Sequence, residues 1–138
     1  MRIVLDSNIL FSALIKDSFK RKIILEYDGK FLFPSYIFEE LQEHKKELLQ
    51  KAQMNADEFD TILQILLKKV FIIPKEALLP FKQEAIDIVK DIDLDDALFF
   101  ACALAYPESV IWSDDKKLKE QTKIKVCNTP EIVKILSS

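Results

Sequence analysis

Glycine is almost absent from this chain. Among 138 residues there is only Gly29. The phosphate loops of P-loop and dinucleotide-binding proteins need several glycines in a short stretch, so no nucleotide cofactor held by backbone amides is expected. One histidine and two cysteines, with no Cys-x-x-Cys, leave almost no ligands for zinc. Cys102 and Cys127 each lie among apolar neighbours, the pattern of small buried hydrophobes rather than of a disulfide. No apolar run reaches transmembrane length, and no basic segment followed by an apolar run marks a signal peptide. The first strand begins at residue 2, which leaves no room for a targeting extension, so the expected location is the cytoplasm, away from membranes. Arginine is scarce as well, limited to Arg2 and Arg21. Repeats, linkers and low-complexity segments are missing, and one domain over residues 1–138 is expected.

What is present is a chain 49% hydrophobic and 31% charged, enough for one compact core. Its net charge of −3 argues against a general nucleic-acid coat, which is normally basic. The charge is unevenly spread. Glu84, Asp87, Asp91, Asp93, Asp95 and Asp96 crowd into residues 84–96. Basic residues gather elsewhere, at Lys16, Lys20, Arg21 and Lys22, at Lys45, Lys46 and Lys51, and from Lys116 to Lys125. An acidic centre with basic patches around it suits a protein that binds cations and then phosphates, although such runs are commonly solvated helix faces.

Ile3, Val4 and Leu5 form a short, β-branched apolar run, the mark of a strand buried on both faces. It stops at Asp6, and Ser7 and Asn8 then start a helix over roughly 8–16. Further strands are predicted at 31–33, 70–73, 109–112 and 124–127. Helices are predicted at about 19–27, 34–51, from Asn55, 76–91, 95–106, from Lys116, and from Thr129-Pro130, where proline suits the first helical position. The helix at 95–106 is apolar nearly all round and should be buried, with Ala97, Ala101 and Ala105 as a small-residue face toward the sheet. Strands alternating with helices predict an α/β, three-layer α/β/α fold with a central, mainly parallel sheet of four to five strands.

Four acids stand out by position. Asp6 and Asp115 fall at carboxyl ends of predicted strands, the edge where open α/β sheets bind ligands. Glu40 lies early in the helix after the second strand, and Asp96 opens the buried helix. Carboxylates on an apolar face are costly unless paired or bound to metal, and the usual arginine partner is rare here. Asp/Glu oxygens without histidine or thiolate select a hard ion, Mg²⁺ or Mn²⁺. Taken singly, Asp6, Asp96 and Asp115 also suit helix N-termini, and Glu40 suits a surface.

Four segments in order resemble the PIN-domain ribonucleases, in particular those of the VapC toxin type. They are Ile-Val-Leu-Asp-Ser-Asn-Ile-Leu (3–10), Pro-Ser-Tyr-Ile-Phe-Glu-Glu-Leu (34–41), Asp-Ile-Asp-Leu-Asp-Asp-Ala-Leu-Phe-Phe-Ala-Cys-Ala-Leu (91–104) and Ile-Trp-Ser-Asp-Asp-Lys-Lys-Leu (111–118). The resemblance implies Mg²⁺- or Mn²⁺-dependent cleavage of RNA, with Asp6, Glu40, Asp96 and Asp115 as catalytic metal ligands. By the same resemblance Asp93 is a further ligand, and Ser113, in a place where threonine is usual, supports the site together with Asn8. An antitoxin partner and a homodimer are also implied. Lys45, Lys46, Lys116 and Lys117 flank the motifs and are candidates for binding substrate. Glu39 and Asp95 adjoin proposed ligands but are about 100° away on their helices, so they are expected to point elsewhere. His44, one turn after Glu40, is expected to be a surface residue near acids.

The sequence also admits a non-catalytic PIN fold that binds RNA or protein, a haloacid-dehalogenase-like phosphatase and a Mg²⁺-binding receiver domain. The phosphatase needs a second Asp two residues after Asp6, where Asn8 stands. The receiver needs an acceptor Asp after the third strand, where Ile72-Ile73-Pro74 stands.

Overall fold

The computed structural model describes residues 1–15 and 18–137. The predicted end of the first helix at 16, and Lys16 itself, lie outside them. The described residues form five strands: β1 (Arg2–Leu5), β2 (Phe31–Pro34), β3 (Val70–Ile73), β4 (Ser109–Trp112) and β5 (Val126–Cys127). The helices are α1 (Ser7–Leu14), α2 (Phe19–Glu26), α3 (Ile37–Ala52), α4 (Ala56–Leu67), α5 (Lys75–Leu78), α6 (Lys82–Val89), α7 (Ala97–Ala105) and α8 (Thr129–Leu136). Short 3₁₀ turns occupy Leu79–Phe81, Leu94–Asp96 and Lys116–Glu120.

The sheet is parallel throughout, in the order β3-β2-β1-β4-β5. It is therefore a three-layer α/β/α fold. The helices α1 to α4 pack on one another in one layer, while α5 and α6 pack with α7, which lies against β1, β2 and β4. Covered on both sides, the strands read as continuous apolar runs. Ile3, Val4 and Leu5 of β1 are buried, as are all four residues of β2. Phe33 of β2 meets Phe99 of α7 edge-on at 5.5 Å and ties the sheet to that helix layer, while Phe31 of β2 meets Trp112 of β4 at 6.0 Å within the sheet. Both cysteines are buried and free. Among the described residues, no helix is long and apolar enough to cross a membrane.

Three boundaries differ from the sequence expectation. The single helix expected over 76–91 is broken into α5, a 3₁₀ turn and α6, because Pro80 has no N–H to donate and stops the first segment. The helix expected from Pro34 begins at Ile37, since Pro34 still belongs to β2 and pairs in register with Ile73. The strand expected over 124–127 is only Val126–Cys127, because the Gln121 side chain takes the strand-like hydrogen bonds of Ile124, accepting from its N–H at 2.9 Å and donating to its carbonyl at 2.7 Å. The alanine face of α7 also differs in part: Ala97 and Ala101 line a cavity toward α3.

Arg21, grouped by sequence with a basic patch, has a structural task. Its Nε donates to the Ala13 carbonyl at 2.7 Å, and its Nη2 donates to Leu14 and Ile15 at 3.0 and 2.7 Å. These are the orphan carbonyls at the end of α1, where a cation is also favoured by the helix dipole. Arg21→Ala is expected to lower stability by about 1–3 kcal/mol, as partly buried charge-assisted bonds are lost. Urea unfolding checks this, and an unchanged midpoint would refute it.

Candidate active site

The site follows from the order of the strands. With β2 and β4 on either side of β1, the chain runs outward in opposite directions from β1, which makes this edge the topological switch point where α/β folds open a crevice. Leu5 pairs with Trp112, so Asp6 and Ser113 emerge side by side at the carboxyl ends of β1 and β4. The Asp6 N–H donates to the Trp112 carbonyl at 3.2 Å, which fixes this level.

Asp6 is 5% exposed and caps α1, its Oδ1 accepting from the Ile9 N–H at 2.9 Å. The Ser113 hydroxyl donates to it and accepts from the Asp115 N–H at 3.1 Å, tying two acids to one buried oxygen. Burial pushes the Asp6 carboxyl up, the Ser113 and Ile9 donors oppose this, and Asp114 and Asp115 add repulsion; the net direction is upward. Asp115 caps the 3₁₀ turn by accepting from the Lys117 N–H at 3.0 Å. Asp96 follows a loop organised by Asp93, whose Oδ1 accepts from the Asp95 N–H at 3.0 Å. Its carboxyl is pushed up to about 7, first by burial and then by repulsion from Asp93, Asp6, Asp115 and Asp95.

Asp93, Asp96 and Asp115 offer oxygens that all lie within 4.8 Å of one another. Asp6 and Glu40 stand outside this tightest group, yet Asp6 repels both Asp96 and Glu40. Glu40, in the first turn of α3, accepts a hydrogen bond from the Ser7 hydroxyl. Burial raises the Glu40 carboxyl, Ser7 and His44 lower it, and Glu43 and Asp6 raise it again, with a net upward shift. Among the described residues, none of these five carboxylates is paired with a lysine or arginine. An oxygen-only donor set, crowded, partly buried and without cationic partners, fits a hard divalent ion.

The remaining candidates are placed less uniformly. Asn8 is exposed in the first turn of α1. Lys116 lines a cavity of about 410 Å³ with Ser113 and Asp115. Lys117 contributes its backbone to Asp115, and Lys46 is exposed. Lys45 is drawn 3.4 Å from Asp60 of α4, so its charge is shared with that acid. Asp95 turns away from Asp96 as expected, lining the cavity beside α3 while Asp96 faces Asp93 and Asp115. Glu39 departs from expectation and lines that cavity together with Glu40, because the two lie three and four residues after Tyr36 and so share one face of α3. His44 lines the same cavity while packing 5.5 Å from Phe11 and 3.6 Å from Glu47.

Two contributors escaped the sequence reading. Ser7 reads in the sequence only as a helix starter, and its link to Glu40 spans 33 residues, so no local pattern signals it. Asp114 sits beside Asp115 but serves the scaffold. It accepts from the Thr129 N–H at 2.8 Å and from its hydroxyl, and pairs with Lys20 at 3.3 Å. Burial alone would raise the Asp114 carboxyl, but Thr129 and Lys20 hold it below the usual carboxylate range. Thr129 also accepts from the Trp112 indole at 3.0 Å, locking the end of β4 to the start of α8.

Carboxylates gathered at the switch point of a parallel sheet define an α/β domain with an acidic crevice suited to a hard cation. The family model of the PIN domain matches residues 4–132, and the chain belongs to that family. No curated protein matches it in sequence. Among solved structures, it is similar to a chain of VapBC2 from Rickettsia felis bound to a DNA fragment from their promoter, with 20% identity and a TM-score of 0.67 over 93% of this chain and 98% of that one. It is also similar to a chain of FitAcB from Neisseria gonorrhoeae, with 19% identity and a TM-score of 0.60 over 91% and 96% of the two chains. At such identities the likeness is one of fold.

Proposed function

We propose that the chain is a Mg²⁺- or Mn²⁺-dependent endoribonuclease acting as the toxin of a toxin–antitoxin pair. The observation that carries this is the crowding of Asp93, Asp96 and Asp115 beside Asp6 at the crevice, with no lysine or arginine among their partners. Asp6, Glu40, Asp93, Asp96 and Asp115 would hold the ion, which when bound supplies charge neutralisation at a phosphate and a water ionised near neutral pH. The chain's own residues set the frame for this. Ser113 orients Asp6 and the Asp115 backbone, and Ser7 orients Glu40. Second partners of this kind keep ligands in place and are worth roughly 10–100-fold in metal affinity or activity. Lys46, Lys116 and Lys117 supply positive charge for RNA phosphates, with Lys45 a weaker contributor because of Asp60. An antitoxin protein and a second copy of the chain are the proposed partners, supported by the VapC-type motifs and by the fold shared with a chain of a VapBC2 complex.

Incubation of the purified chain with single-stranded RNA tests the activity directly. Cleavage is expected with millimolar Mn²⁺ or Mg²⁺ and its loss with EDTA. Cleavage that persists in EDTA would rule out the metal-dependent mechanism.

A further inference from the structure

A cavity of about 770 Å³ opens beside the carboxylates, between α3 and the helices α5 to α7. Its α3 wall is Tyr36, Glu39, Glu40, Glu43 and His44, spaced i, i+3, i+4, i+7 and i+8. That spacing ordinarily marks an apolar stripe turned to the core. In α3 the buried stripe lies elsewhere, at Ile37, Leu41 and Leu48, and this polar, aromatic face is turned to open space. The facing wall is mixed, with Leu78, Ile86 and Leu98 beside Lys75, Lys82 and Asp95.

Glu40 belongs both to this cavity and to the acidic crevice, so an occupant lies beside whatever is bound at the crevice. The volume falls within the roughly 300–1,000 Å³ usual for small-molecule sites and admits a nucleobase. Tyr36 is 37% exposed at its edge and offers a ring for stacking. Glu39 and Glu43 take part in none of the ion pairs among the described residues. Ionised carboxylates only accept hydrogen bonds. Unstacked RNA bases are read by aromatic stacking and by hydrogen bonds to their edges. Guanine, adenine and cytosine each carry an amino donor for a carboxylate, whereas uracil offers only its N3–H, flanked on both sides by carbonyls that repel the same oxygens. The acids Glu39, Glu40, Glu43 and Asp95 outnumber the cations Lys75 and Lys82, so the lining disfavours a phosphate and the base is the part of the chain that enters.

Resting on the ribonuclease activity proposed above, we propose that this cavity is the pocket for a base next to the scissile phosphate, with Tyr36 stacking on its face and Glu39 and Glu43 selecting amino-bearing bases over uracil. The test uses the full chain with Mn²⁺ and single-stranded oligoribonucleotides. Once the cut is mapped, the nucleotide on each side of it is varied among G, A, C, U and an abasic residue. On one side, uracil or the abasic residue is expected to lower kcat/KM. Tyr36→Leu is expected to lower kcat/KM about tenfold on amino-bearing substrates, with no further loss on the abasic one, while Tyr36→Phe keeps wild-type rates. Glu39→Gln combined with Glu43→Gln is expected to narrow the gap between amino-bearing bases and uracil. Equal losses for Tyr36→Leu on abasic and normal substrates, or wild-type cleavage indifferent to the base on both sides, would overturn the pocket and leave the ribonuclease standing. No cleavage of any oligonucleotide by the wild type would overturn both.

Discussion

Asp6→Asn and Asp96→Asn are each expected to reduce metal-dependent RNA cleavage by more than the roughly 100-fold that marks loss of an outer partner. Asparagine keeps the size and one carbonyl oxygen of aspartate but loses the charge that holds a hard cation. The fold is expected to survive, most clearly at position 6. There the side chain caps α1 through the Ile9 N–H, and asparagine caps a helix as well as aspartate does. Loss of cleavage without loss of structure would therefore separate the chemistry of Asp6 from its capping role. Glu84→Gln is the control, an exposed acid of the same acidic run. Measured cleavage rates with circular dichroism of each variant decide the matter. Wild-type rates in either aspartate variant would place the activity at another site.

The second large effect concerns stability without metal. Asp96 titrates at about 7 in the folded chain against an ordinary value of 3.8, so between those values the folded state holds the extra proton. The stabilisation linked to that proton is complete below the lower value and lost as pH rises through the upper one. Asp6 and Glu40 are shifted in the same direction and reinforce the trend. Asp114 works in the opposite sense, its contribution being lost only toward strongly acid pH. In EDTA the wild type is thus expected to lose stability from about pH 4 to pH 8. Asp96→Asn should flatten that slope and be more stable at pH 8 by about 1–2 kcal/mol, a value reduced for the partial solvent access of the group. Mn²⁺ at a hundred times its dissociation constant should restore about 2.7 kcal/mol to the wild type and much less to the variant. Thermal melts over this pH range test all three statements. A wild type whose metal-free stability rises from pH 5 to pH 8 would contradict the assigned repulsion.

The sequence alone determined the layered α/β architecture, because burial of a parallel sheet on both faces demands continuous apolar strands such as Ile3–Leu5 and Phe31–Phe33. It also located the acids Asp6, Asp96 and Asp115, since each follows or opens an element whose end is marked by a change from apolar to polar residues. Pro80 carried the break between α5 and α6, which the apolar periodicity of the surrounding residues obscured. Other features were decided only by tertiary structure. The strand order puts β1 between β2 and β4, and the pairing of Leu5 with Trp112 sets Asp6 beside Ser113, across more than a hundred residues of chain. Ser7 reaching Glu40, Arg21 closing α1, and Asp114 fastening Thr129 are contacts between separate elements. Local spacing records which residues share a face of one helix or strand. It holds no record of which face another element will be packed against, and that packing decides whether Glu39, Asp95 and Tyr36 meet solvent or a cavity.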